Sequence, residues 1–204
     1  MFDPNRNVGP ESRKSYADKV NNGFIQKYLS GQNVLDVGFV GYSDNGVTVV
    51  PIVENAIGID VGYPGYDGLN LPFPDQSQDA VYSSHCLEHV DNSLATLAEW
   101  FRVLRIGGYM VIVVPHQQLY EKTLYHPSRF AGYGHRRFYL PNVLLTEIQQ
   151  ALPYGEWRLR HMVDNDAGFD YNLPATQHSA GCYEIECVIE RIARPAYIDE
   201  MFKR

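Results

Sequence analysis

The chain has 204 residues, 45% of them hydrophobic, a length that suits one domain with a sizeable core. Its 17 lysines and arginines against 24 acids leave a net charge of −7, which excludes a general attraction to nucleic acid phosphates. No apolar run approaches the roughly 20 residues of a membrane span, and residues 1–16 carry no apolar stretch behind a basic cluster, so a cytoplasmic protein is expected.

Residues 3–10 are polar and rich in Pro, Gly and Asn, and read as an arm. Over 15–29, Tyr16, Val20, Phe24, Tyr28 and Leu29 recur at helical spacing with Gly31 just beyond, which predicts a helix leading into the first strand. Arm and helix form an N-terminal unit over 1–30, and the main domain follows over 31–204. The segment NVLDV (33–37) predicts a buried strand ending at Gly38, and AIGID (56–60) a second one ending in an acid, with room for a short helix in 41–55. A third strand is expected over 79–83. The helical pattern after it, through Leu87, Val90, Leu94, Leu97, Phe101 and Leu104, stops at Gly107 and Gly108. YMVIVV (109–114) is a nearly pure apolar strand. Strands of this kind alternating with helices predict a mostly parallel sheet covered on both faces. A helix over 141–152 and strands over 157–163 and 183–191 complete the pattern. Cys86, Cys182 and Cys187 lack metal-ligand spacing and read as reduced thiols, the last two on opposite faces of one strand.

Ligands of such sheets sit at the carboxyl ends of the strands. There Gly38 allows close backbone approach, Asp36 can accept amide hydrogen bonds, and Asp60 can accept the two hydroxyls of a ribose. The stretches VLDVGFVG (34–41), DGLNLPFPD (67–75), DAVYSSHCLEHV (79–90) and EWFRVLRIGGYMVIVVP (99–115) follow in that order. Together they resemble the class I S-adenosylmethionine-dependent methyltransferases, in the branch reading VLDxGxGxG, LPFPDxSFDAV, SxHxLEHV and RVLxPGGxxxxxxP. The resemblance implies a Rossmann-like, seven-stranded sheet in a single α/β domain, S-adenosylmethionine as cofactor and S-adenosylhomocysteine as product. It implies Asp36 and Gly38 near the methionine portion, with Gly41 in the same loop, Asp60 on the ribose, Asp67, Gly68 and Leu69 around the adenine, and Ser84 and His85 at the sulfonium. The loop departs from the pattern, since Val40 and Tyr42 stand where further glycines are usual.

After residue 115 the sequence resembles methyltransferases that tailor glycans or small metabolites. His116 directly follows the fifth strand, where an acceptor must lie, and is the expected base, with His135 the second choice. His85 and His89 share a helical face, and His89 reads as structural. No acid occurs between Lys122 and Thr146, while Lys122, Arg129, Arg136 and Arg137 do. This predicts an acceptor lid over 115–140, in which Arg129 or Arg136 grips a phosphate or carboxylate and Tyr120 and Tyr133 stack on a ring. The oxygen-rich group Asp164, Asn165, Asp166 and Asp170 lacks a cation-loop spacing, so no metal is expected.

The reaction expected is in-line O-methylation of a small polar acceptor such as a sugar or glycan precursor, in anionic or nucleotide-linked form. Two other readings stand beside it: an aromatic or isoprenoid-type acceptor, and an inactive ligand-binding or partner subunit, which Val40 and Tyr42 would suit.

Overall fold

The computed structural model describes residues 2–44 and 46–203. Helix α1 (Pro10–Asn21) begins on a proline, whose missing N–H costs nothing in a first turn. Gly23, left-handed at φ +83°, separates it from α2 (Phe24–Tyr28). The single helix expected over 15–29 is therefore two, because the chain turns at the Asn22-Gly23 pair.

Strand β1 (Val34–Val37) follows, then β2 (Tyr42–Asp44) and β3 (Val47–Val49), which pair antiparallel. The short helix expected in 41–55 is thus a hairpin. A β-branched Val47-Thr48-Val49 run beside Gly46 at φ +80° favours paired strands over a helix.

Next come β4 (Ala56–Ile59), β5 (Gln78–Ser84), α3 (Ser93–Val103), β6 (Leu104–Pro115), α4 (Pro141–Ala151), β7 (Trp157–Asn165) and β8 (Glu184–Arg191). Helix α3 starts later than its apolar pattern because Asn92 caps it, its Oδ1 accepting from the Ala95 N–H at 3.1 Å. Gly107 and Gly108 do not end that helix but lie inside β6, where a Cβ on Gly108 would stand 2.9 Å from the Asp79 carbonyl.

The main sheet runs β4-β1-β5-β6-β8-β7, parallel from β4 to β6, with β8 and β7 each antiparallel to its neighbour. It has six strands among the described residues, where seven were expected. Residues 61–77, after β4, form turns instead of an edge strand. Pro64, Pro72 and Pro74 remove ladder donors there, and Gly62, Gly65 and Gly68 adopt positive φ.

Alternation along the strands divides the core. Leu35, Val37, Val81, Met110, Ile112 and Ile185 face the α3 and α4 side. Val34, Tyr82, Val111, Val113 and Val188 face α1 and α2, where Tyr16, Val20 and Ile25 are buried. The N-terminal residues thus cover this face over β1, β5, β6 and β8. Cys187 lies in β8, but Cys182 precedes the strand, so the two do not share it; both are buried and free. No described helix is long and apolar enough to cross a membrane.

Candidate active site

Two cavities open where β1, β4 and β5 end. The smaller, about 170 Å³, lies between α1 and the loop after β1, with Glu11, Ser12, Asp36, Ile52 and Ser84 in its wall. The larger, about 640 Å³, is bounded by Asp60, Asp67, Gly68, Leu69, His89 and Arg136. Gly38 and His85 line both, so the two meet at those residues. This is the carboxyl edge to which the order of parallel strands directs a ligand.

Asp36 is buried on β1, and its Oδ2 accepts from the Ile52 N–H at 2.7 Å. Burial pushes its carboxyl up to about 7, against the opposing pull of the Ile52 bond and the Arg6 charge. Gly38 sits at φ +90°, and its amide donates to the Ile59 carbonyl at 2.8 Å, which ties the loop after β1 to the end of β4. Asp60, at that end, accepts the Val61 N–H on Oδ1 at 2.6 Å. Asp67 closes a turn, with Oδ1 accepting from the Leu69 and Asn70 amides at 2.9 and 2.6 Å and Oδ2 from the Asn70 side chain at 2.7 Å. These bonds, the Asn70 side chain foremost, hold its carboxyl down to about 2.

Ser84 closes β5, and its hydroxyl is buried with no hydrogen-bond partner among the described residues. His85 takes positive φ, +52°, and its Nε2 lies 3.3 Å from Glu184 Oε1 on β8. Burial pulls its pKa down, but the Glu184 hydrogen bond and the charges of Glu88, Glu184 and Glu11 outweigh that and raise it. Over the smaller cavity, the Tyr183 hydroxyl donates to Glu11 Oε2 at 2.6 Å, and Lys14 reaches both groups. The arm and α1 are thereby fastened to the base of β8.

Asp36, Gly38, Asp60, Asp67, Gly68, Leu69, Ser84 and His85 are thus gathered around one continuous space. Gly41 lines neither cavity and has open space around it. The two histidines expected as bases lie elsewhere. His116 is buried with Nδ1 accepting from the Gln118 N–H at 3.1 Å and Nε2 3.8 Å from Asp164, and burial lowers its pKa. His135 is buried with Nδ1 2.5 Å from Glu121 Oε1. Neither lines either of these two cavities.

The expected lid folds back on the domain through a π-helical turn, Gln117–Glu121. Tyr120 packs within an aromatic knot, its ring centroid 5.1 Å from that of His135 and 5.0 Å from that of Tyr183, and is not a free stacking platform. Burial pushes its phenol up to about 12. Tyr133 is exposed and outside both cavities. Among the described residues Arg129 reaches only the Lys122 carbonyl, at 3.5 Å. Arg136 does line the larger cavity, with Asp91 3.4 Å away. Glu11, Glu88 and Glu184 surround His85 and were not foreseen; a signal for Glu184 existed, since it stands among the apolar residues of the strand-like run EIECVIE.

Residues 22–112 match the family model described as a methyltransferase domain. A demethylmenaquinone methyltransferase of Tropheryma whipplei is 35% identical over 136 residues, 66% of this chain and 46% of that protein. Ajmaline N-methyltransferase of Rauvolfia serpentina is 32% identical over 68 residues, 33% of this chain and 22% of that protein. The chain spans less than half the length of either curated relative. Among solved structures, a SAM-dependent methyltransferase from Archaeoglobus fulgidus superposes with a TM-score of 0.55 at 16% identity, covering 87% of this chain and 94% of that one; this likeness is one of fold.

Proposed function

We propose that the chain, whose residues 22–112 match a methyltransferase domain model, is a class I S-adenosylmethionine-dependent methyltransferase that moves a methyl group from S-adenosylmethionine to a small polar acceptor. The observation that carries this reading is the pair of cavities meeting at Gly38 and His85, with Asp60 on one side of the junction and Ser84 on the other.

The residues present fit the cofactor. Asp60 spends one oxygen on the Val61 amide and keeps the other for ribose hydroxyls. Gly68 and Leu69, fixed by the Asp67 turn, form the wall for an adenine. The unpartnered Ser84 hydroxyl is a polar group awaiting a ligand atom near the junction. When bound, the cofactor supplies an electrophilic methyl on its sulfonium. In this reading His85, anchored by Glu184, takes the place expected of His116 and His135. It would hold the acceptor hydroxyl in line for the methyl and, with Glu184, take up the proton that the hydroxyl loses; alignment of that kind contributes about 7 kcal/mol or more. Arg136 grips the acceptor's anionic handle, a phosphate or carboxylate of a sugar-type molecule.

A second acceptor class, aromatic or isoprenoid, is favoured by Leu124, Tyr125 and Tyr133, which the lid leaves exposed, and by the quinone named for the Tropheryma relative.

Calorimetric titration with S-adenosylmethionine and S-adenosylhomocysteine tests the cofactor. Binding near micromolar, about −8 kcal/mol, weakening at least tenfold in Asp60→Ala, is the expected result; no binding of either by the parent protein favours the inactive module. A panel of anionic sugars against quinones and phenols then separates the two acceptor classes, and His85→Ala is expected to abolish turnover while His116→Ala keeps it.

A further inference from the structure

Glu88 lies in the turn between β5 and α3. Its side chain is 0% exposed, and neither carboxylate oxygen has a hydrogen-bond partner among the described residues. A buried carboxylate left this way is strongly unfavourable unless positive charge faces it. What faces it is a set of ring nitrogens. His89 Nε2 stands 3.7 Å from Glu88 Oε1 and His135 Nε2 3.9 Å from it, with His85 Nδ1 3.8 Å from the same oxygen. The donor atoms of Glu88, His89 and His135 all lie within 4.8 Å of one another.

The other nitrogens of those two imidazoles decide the chemistry. His89 Nδ1 is 2.9 Å from the Gly134 carbonyl, which can only accept. His135 Nδ1 is 2.5 Å from Glu121 Oε1, a carboxylate that is itself fully buried. Each partner calls for an N–H at Nδ1, so in the neutral rings both Nε2 lone pairs point toward Glu88. Two lone pairs and a carboxylate converging on one point repel each other, and a cation among them reverses that. Imidazoles fixed through the far nitrogen by a carboxylate and a carbonyl are how proteins orient metal-binding histidines.

We propose that Glu88, His89 and His135 bind a divalent first-row transition cation, with zinc as the reference ion. Two imidazoles and one carboxylate are a donor set for zinc or iron(II) rather than magnesium or calcium. Metal bonds of about 2.0–2.1 Å would draw the donors to about 3.4 Å apart. That is a closure of a few tenths of an ångström for each histidine against Glu88 and of at most about 1.4 Å between the two imidazoles, which the half-exposed His89 ring can make. Because His89 lines the larger cavity, the coordination position left over belongs to water or to an oxygen of a ligand there. The second cluster of this kind, Glu11, His85 and Glu184, is already served by Lys14, Tyr183 and Lys19. The sequence hides the proposed site because its ligands are two neighbours and a residue far along the lid, with no repeating spacing.

The site opens onto the cavity assigned to the cofactor, but its test reads metal directly. The full chain is stripped with a chelator and titrated with cobalt(II), followed by its ligand-field absorption, and with zinc against a chromophoric chelator. One equivalent bound at submicromolar zinc, with a rise in Tm, is expected. His89→Ala, at a half-exposed position that leaves the core intact, is expected to weaken zinc at least a hundredfold. Glu121→Gln, acting through His135, should weaken it about tenfold. No binding at micromolar zinc, or affinity unchanged in both His89→Ala and His135→Gln, would overturn the proposal and leave the cluster as protonated histidines paired with Glu88. Titrating S-adenosylmethionine on the same samples keeps failure of this site distinct from failure of the cofactor site.

Discussion

A Cβ placed on Gly38 would fall 2.6 Å from the Cβ of Cys86 and 2.8 Å from its Sγ. The loop after β1 therefore rests directly on the residue after His85, and the two walls of the junction are set by one contact. Gly38→Ala is expected to meet both this clash and the strain of φ +90°, about 1–3 kcal/mol each. The additional change Cys86→Gly should relieve the clash but not the strain. Urea denaturation of the single and double variants separates the two; a double variant no more stable than Gly38→Ala would mean that the backbone alone decides.

Lys19 is buried in α1, its Nζ 2.9 Å from Glu186 Oε1 and 3.9 Å from Glu184 Oε2. Burial pulls its pKa down, but Tyr82, Glu186 and Glu184 outweigh that and raise it. A lysine raised in the folded state contributes stability that is whole below its unfolded pKa and fades as pH rises through the folded one. Removing the charge strands two buried carboxylates, so Lys19→Met is expected to cost about 3–5 kcal/mol at neutral pH. A shift in urea midpoint worth under about 1 kcal/mol would show that Asn165 and His161, which also face Glu186, suffice without it.

Asp36 supplies a pH signature of opposite origin. Its folded carboxyl titrates near 7 instead of 3.8 because burial disfavours the charge, so the unfolded chain gives up the proton first. Stability then declines as pH rises from about 4 to about 7 and is level above. Asp36→Asn keeps an acceptor for the Ile52 amide and removes the charge. Its advantage over the parent should grow across that interval and then hold constant. Thermal scans of both proteins, purified without ligand, check this, and parallel curves would refute it.

Arg137 is the lid arginine with the most structural work. Its Nη1 donates to the Leu87 and Val90 carbonyls at 2.8 and 2.6 Å, and its Nη2 to that of Asp91 at 3.1 Å. Lysine has no fork to reach three carbonyls, so Arg137→Lys is expected to lose about 2 kcal/mol and to speed tryptic cleavage within 122–136. Unchanged cleavage would mean that the lid is held by its aromatic knot instead.

Periodicity made most of the fold legible. The parallel strands declared themselves as apolar runs, and the acids and glycines at their ends pointed to the cavity because strand ends are where a parallel sheet leaves space. What was hidden depended on contacts between distant segments. Gly23 reads as one more residue in a helical window, yet it splits the helix. Gly107 and Gly108 look like a helix stop, yet they lie in a strand, where Gly108 lets the backbone pass Asp79. His116 follows its strand as a base would, but the strand aims it at Asp164, whereas the turn after β5 brings His85 to the junction. Glu88 sits inside a motif whose spelling says nothing of its burial.

The fastening of Glu11 to Tyr183 joins residues 172 positions apart, and that separation has a consequence for the order of events at the ribosome. Helix α1 leaves the exit tunnel well before the partners of Glu11 and Lys19 are made. At about 5–20 residues per second, the helix waits on the order of ten to thirty seconds with its polar groups in water. The smaller cavity is then sealed only after Tyr183 has left the tunnel. Ribosome-stalled chains cut short of residue 183 should leave α1 open to protease, and chains stalled far enough past 191 for that residue to clear the tunnel should protect it.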